Sequence, residues 1–469
     1  MLKKTNIACR FLLFLLALFL GNTWSISAQN VNLNSIPPAG NIPDSLKSAL
    51  LQPINTIDSA KNSPYQYFTL QQCVAYALQH QPLLNEALLN TDITKANNAI
   101  ATSGWLPQVN VSGSLTHYNQ LSTYSTARTA NSFVPGLAVT QAIFSPSLLY
   151  AYRSSPIYLQ QAKLVTDSTK IFLVSQVSKL FYNVLLNLEQ INVLKEDTAR
   201  LAKNLRDAYH QYVGGIVDET DYEEAQITLN NSIAQLHQAT QNILPQYAGL
   251  KRIMGLPPEK QFNVKFDTLQ LMQAIHIDTN QQLQFENRIE FQQSKIAKQL
   301  QEQQVKYYQR SFIPTVSAFY NYNLAYQNNV FPQLFSTSYP SSYFGLTLNV
   351  PVFTGFSRVR TLQKARLEEQ VIDYKITDLK SIINTDYNSA LANYKSNLFS
   401  LKLLQKNVGL AKRTYFVVTL QYKQGVVPYL NVITAESNLI NAQINYLNTL
   451  FQVLSSKIDL QRAMGSITY

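Results

Sequence analysis

Five histidines, His80, His117, His210, His237 and His276, are scattered singly along 469 residues, and the only cysteines are Cys9 and Cys73. With no Gly-rich phosphate loop beside them, these groups leave nothing to assemble into a catalytic centre, so no enzyme, cofactor or metal is expected. The densest set of ionisable side chains is Asp218, Glu219, Asp221, Glu223 and Glu224, immediately after Gly214-Gly215. Acids in that position suit the positive end of a helix and the surrounding water.

The element that places these acids occurs twice. Gln211-Tyr212-Val213-Gly214-Gly215-Ile216-Val217 returns as Gln421-Tyr422-Lys423-Gln424-Gly425-Val426-Val427, an offset of 210 residues, and each copy reads as the tip of a helical hairpin. Gly215 and Gly425 are expected at positive φ in tight turns. Downstream, the same offset pairs Arg252-Ile253-Met254-Gly255 with Arg462-Ala463-Met464-Gly465. Upstream it pairs two seams spaced by threes and fours, Phe181, Val184, Leu188, Ile191, Leu194, Thr198, Leu201, Leu205, Ala208, Tyr212 and Leu391, Tyr394, Leu398, Leu401, Leu404, Val408, Ala411, Tyr415, Val418, Tyr422. Such spacing marks coiled coil. Both seams take two successive steps of three at the same place, as one duplicated element would.

Composition is 46% apolar and 14% charged, which excludes general disorder. Lys3, Lys4 and Arg10 precede an apolar run from Phe11 to Leu20, and Ser25-Ile26-Ser27-Ala28 follows, so residues 1–28 read as a secretory signal. Its removal lowers the formal charge from +11 to +8 and leaves Cys73 alone, so no intrachain disulfide is expected. Basic residues are scattered among Gln, Asn and Ser without forming a stripe, and nucleic-acid binding is not expected.

The organisation expected in order is an extended leader over 29–66, a first repeat over 67–255, a linker over 256–282 and a second repeat over 283–466. In the first repeat a helix runs from Thr69 to about Trp105. Val109 to Thr116 then alternates as a strand, Leu137–Phe144 is a second strand, and helices follow over 147–212 and 219–254, the latter kinked at Pro245. The second repeat has a helix over 283–312 and a strand in which Val316, Ala318, Tyr320, Tyr322, Leu324 and Tyr326 share a face. A second strand there sets Phe344, Leu346, Leu348, Val350 and Val352 opposite Thr347 and Asn349.

A 66-residue helix spans roughly 100 Å, too long for one globular core. Helices 219–254 and 283–312, stacked end to end, would match one such helix, giving a tall helical cylinder. Apolar strands of about ten residues with a polar reverse face fit a transmembrane barrel wall. Four strands cannot close a barrel and open edges are not tolerated in lipid, so several chains are expected to share one. The fold expected is mainly α with membrane β-strands and an internal duplication. A periplasmic adaptor or a coiled-coil scaffold of an envelope complex is the alternative; the adaptor would need one hairpin flanked by compact β domains, and the scaffold leaves the strands unexplained.

Together these features resemble the outer membrane efflux channel family typified by TolC, over about residues 68–466. Phe68 to Leu78 looks like the family's opening helix, Val350-Pro351-Val352-Phe353-Thr354-Gly355 like its last strand, and Gln421 to Val427 like its second tip. The resemblance implies a homotrimer with a shared 12-stranded barrel in the outer membrane of a Gram-negative bacterium and a helical tunnel across the periplasm. It also implies tips, at Gly214, Gly215, Ile216, Val217, Gly425, Val426 and Val427, that meet a periplasmic adaptor and an inner-membrane pump. Tyr422 matches a gate tyrosine of the family, and the gate is expected at Thr220, Asp221, Tyr422, Asn431 and Thr434. Asn431 and Thr434 stand where relatives often place Asp, which argues against a strongly cation-binding iris. A contact from Tyr422 to Thr220 or Asp221 is expected.

Overall fold

The computed structural model describes residues 66–119, 129–265, 275, 277 and 282–469. The expected signal peptide, the leader up to residue 65 and part of the expected linker lie outside the described residues.

The first repeat opens with β1 (Gln66–Phe68) and then two helices, α1 (Leu70–His80) and α2 (Pro82–Thr102), where one helix was expected. The break has a local cause. Gln81 precedes a proline and is extended, with φ −71° and ψ 120°, while Pro82 suits the first turn of the next helix. Strands β2 (Gln108–His117) and β3 (Asn131–Phe144) follow, then α3 (Pro146–Val213) and α4 (Glu219–Met254), which runs on through Pro245.

A short strand, β4 (Phe262–Val264), lies where only a linker was expected, and it pairs in parallel with β1. Phe68 and Phe262 meet edge to face at 5.6 Å. Cys73 is fully buried in the same core, and burial pushes its thiol up to about 12.

The second repeat comprises α5 (Ile289–Arg310), β5 (Thr315–Asn328), β6 (Ser338–Asn349), α6 (Ser357–Lys423) and α7 (Tyr429–Met464). Helix α5 starts later than expected because Phe285–Asn287 forms a 3-10 turn before it. With 68 and 67 residues, α3 and α6 each extend roughly 100 Å.

The expected stacking of 219–254 on 283–312 is corrected: each short helix meets the one in its own repeat. Gln81 Nε2 donates to the carbonyls of Arg252 and Ile253 at 3.2 and 3.0 Å, closing the C-terminus of α4 against the start of α2. Gly255 there has φ 70°, and a Cβ on it would lie 2.7 Å from the His80 carbonyl. Arg288 repeats the device, its buried guanidinium donating to Ala463 O at 3.0 Å where α7 ends against α5.

The four long strands form one antiparallel sheet in the order β2-β3-β5-β6, so the two repeats join through β3 and β5, and among the described residues the edges at β2 and β6 are free. Register places Val111, Leu137, Tyr322, Phe344 and Leu348 on one face and Asn110, Asn321, Thr347 and Asn349 on the other. Strand β3 begins six residues before the expected Leu137. Pro135 lies within it and has no N–H to give, and the pairing with β5 is interrupted between Phe133 and Gly136. Strand β6 ends at Asn349, so Val350 and Val352 are not strand residues as expected; Pro351 cannot donate to a ladder and restricts the residue before it.

The first seam is buried at Phe181, Val184, Ile191, Leu194, Thr198, Leu201 and Ala208. The second is buried only at Tyr394 and Leu401, and among the described residues α6 leaves Phe399, Leu410 and Phe416 exposed.

Candidate functional site

Both tips close by the same backbone rule. In the first, Ile216 N donates to Gln211 O and Gly215 N to Tyr212 O, each at 2.9 Å; in the second, Val426 N donates to Gln421 O and Gly425 N to Tyr422 O, also at 2.9 Å. This pair of bonds needs a left-handed residue after the helix, and Gly215 and Gly425 both have φ 68°. Open space surrounds each glycine, so the backbone angle alone demands the residue type. Gly214 is right-handed, Ile216 and Val426 project into solvent, and Val217 and Val427 are half-buried.

Above the tips the hairpins are joined by a small core of Ala208, Ala225, Tyr429 and Val432, with Tyr415, Val418 and Tyr422 against it. Tyr422 donates its hydroxyl to Gln211 Oε1, tying the second tip to the first within the chain, and its ring lies 5.3 Å from that of Tyr429. The hydroxyl therefore does not go to Thr220 or Asp221 as expected. Asp221 is close enough to act through its charge: burial first, then Asp221 and Asp207, push the Tyr422 phenol up to about 12, which keeps it a donor at physiological pH. Asp221 is half-buried, and burial followed by Asp218 raises its carboxyl. Thr220, Asn431 and Thr434 are exposed, and Thr434 turns its hydroxyl back to Leu430 O at 2.9 Å. Among the described residues no three acidic, histidine or cysteine side chains converge on a metal position.

One polar cluster was missed by the reading of the sequence. Asp197 and Glu436 are both buried, and Arg200 reaches both, with Nη2 3.0 Å from Asp197 Oδ1 and Nε 3.4 Å from Glu436 Oε1. Asn204 donates to Glu436 Oε2 at 3.1 Å, and Ser232 donates to Asp197 Oδ2 at 2.8 Å. Two carboxylates share one guanidinium, and burial prevails. The Glu436 carboxyl is held at about 7, by burial first and then by the charge of Asp197, while Arg200 acts in the opposite sense. Asp197 is also raised by burial, despite its bonds to Ser232 and Arg200. This cluster bolts α3 to α7, and so the first hairpin to the second. Asp197 and Arg200 at a spacing of three were visible in the sequence; their partner 236 residues away was not.

The chain is 19% identical over 398 residues to the outer membrane protein TolC of Vibrio cholerae, covering 84% of this chain and 89% of the relative. The solved outer membrane protein VceC of Vibrio cholerae superposes with a TM-score of 0.70 at 17% identity, covering 84% of this chain and 96% of VceC. The CmeC outer membrane channel of Campylobacter jejuni gives 0.71 at 18% identity, covering 85% of each. The profile of outer membrane efflux proteins matches residues 74–256 and 281–466, spanning both halves of the duplication, and the chain belongs to the outer membrane efflux protein family.

Proposed function

We propose that three copies of this chain form an outer membrane channel that serves as the exit duct of a tripartite efflux or type I secretion system. The observation that carries this reading is the four-stranded sheet, apolar on one face and polar on the other, with two free edges and helices of roughly 100 Å leading away from it. Bare backbone edges are not stable in lipid. Pairing β6 of one copy with β2 of the next satisfies both edges, and three copies of four strands make a 12-stranded barrel, within the range that closes. The exposed apolar face of α6 then packs on the neighbouring copy. The tips, with Ile216 and Val426 outward, face the adaptor, and beyond it an inner-membrane pump supplies the cargo. The gate rests on Thr220, Asp221 and Tyr422, with Asn431 and Thr434 providing no acidic ring. Relatives named as the outer membrane protein TolC or as an outer membrane channel support the same reading.

The test is purification of the full chain in detergent followed by planar-bilayer recording. A heat-resistant trimer with discrete conductance steps is the expected result. A monodisperse monomer without conductance would return the chain to the scaffold or adaptor reading.

A further inference from the structure

The sheet has two ends, and the one from which the helices depart is unlike an ordinary protein surface. Exposed apolar side chains gather there from all four strand termini: Leu106 before β2, Ile143 in the last turn of β3, Phe312 and Ile313 before β5, and Phe353 and Phe356 after β6. The last two lie in a strained turn. Gly355 and Phe356 are consecutively left-handed, with φ 59° and 64°, and Phe356 is the one non-glycine among the described residues at positive φ. L side chains rarely take that conformation, and a bulky one least readily. The turn is nonetheless closed, by Ser357 N donating to Thr354 O at 3.1 Å and Arg360 N donating to Phe356 O at 3.0 Å. What the strain achieves is an outward aromatic pair: the two rings sit edge to face at 5.6 Å, yet Phe353 and Phe356 remain 75% and 67% exposed.

Charge is segregated at the same end. The sequence has no Asp or Glu between Asp92 and Asp167, nor between Glu302 and Glu368. Within the eight residues of each helix nearest the sheet, the charged side chains are Lys95, Arg153, Lys306, Arg310, Arg358, Arg360 and Lys364. All are basic; Arg360 is exposed and Arg358 half-buried.

An apolar, aromatic rim next to a belt of like positive charge is complementary to one surface, the boundary between acyl chains and anionic headgroups. We propose that the helix end of the sheet is a lipid-binding collar, in which Phe353 and Phe356 enter the acyl boundary of the membrane's periplasmic leaflet and Arg358, Arg360 and their neighbours bind anionic phospholipid headgroups. This rests on the reading that the sheet lies in the outer membrane. The alternative occupant of the two phenylalanines is the neighbouring copy, whose Leu106 would stand beside them where β6 meets β2.

The test uses the chain from residue 29 onward, whose one tryptophan is Trp105, in vesicles of phosphatidylcholine with and without phosphatidylglycerol, each lipid brominated near the headgroup. Phe353→Trp, made together with Trp105→Phe, should be strongly quenched, and more so by the brominated phosphatidylglycerol. Arg358→Gln and Arg360→Gln should reduce that preference roughly fivefold per charge removed. Phe356→Gly, which suits the left-handed backbone, serves as a folding control: the trimer should persist while quenching at position 353 weakens. Absence of quenching, equal quenching by both lipids, or a disulfide between Phe353→Cys and Leu106→Cys of adjacent copies would overturn the collar. If trimers form and conduct in those same preparations, only the collar has failed; if nothing inserts, the channel reading has failed with it.

Discussion

Glu436 offers the most direct handle on how the two hairpins are held together. Its carboxyl is raised from an ordinary 4.5 to about 7, so the folded junction binds a proton that the opened one releases. The sign follows from linkage: the stability this group contributes is fully present below about pH 4.5 and is lost as pH rises through 7, because above that value a charge is buried with only part of a guanidinium to meet it. At about 1.4 kcal/mol per pKa unit, the loss between pH 5 and pH 8 amounts to roughly 2.5 kcal/mol. Glu436→Gln replaces the protonated form with a neutral group of nearly the same shape. Hydrogen exchange of amides in 197–204 and 432–439, corrected for intrinsic rates, reads the local opening free energy. The parent should open more easily at pH 8 than at pH 5 by roughly 2.5 kcal/mol, whereas the variant should be nearly flat, keeping only a residual slope from Asp197, whose carboxyl is also raised. If the variant retains the full slope, or the parent tightens as pH rises, the carboxyl is not carrying a buried charge and the reasoning fails.

Two further outcomes follow from the register and from the tips. Phe344 stands mid-strand on the apolar face, opposite Tyr320, so Phe344→Arg should destabilise the trimer by about 2–4 kcal/mol, whereas Asn349→Arg, on the polar face at the strand end, should alter conductance and leave the heat-dissociation temperature of the trimer nearly unchanged. Equal loss of trimer from both would mean that the two faces have been assigned wrongly. Tyr422→Phe with Asp221→Ala removes the hydroxyl that reaches Gln211 and the acid whose charge acts most on it, and should raise single-channel conductance in planar bilayers; conductance equal to that of the parent would remove both residues from the gate.

The sequence disclosed those features in which chemistry repeats at short range. Seams spaced by threes and fours, the glycine at each tip and the alternation of β5 are written in consecutive residues, and the helices over 146–213 and 219–254 follow from them. The failures have physical causes as well. The first helix broke because a proline at 82 restricts Gln81, a signal that was present but outweighed by the apolar period on both sides. The early part of β3 was hidden by Pro135 and Gly136, residues that ordinarily argue against a strand and here sit where its ladder to β5 is interrupted. The β1–β4 pair and the Asp197–Arg200–Glu436 cluster unite segments separated by some two hundred residues, for which a single sequence carries no record of proximity.

The bare edges of the sheet have a bearing on biogenesis. A lone protomer has a row of unmet backbone donors and acceptors on β2 and another on β6, so it gains little by entering lipid before its neighbours arrive. Insertion and association are then one event, and its rate depends steeply on how many copies are present in the periplasm at once. The two edges are also unlike one another, so the contact is head-to-tail and closes into a ring. A copy damaged at β6 alone would still offer an intact β2 and be recruited by healthy partners, leaving a ring that cannot close. Loss of one edge is therefore expected to behave as a dominant defect, and loss of both as a silent, recessive one.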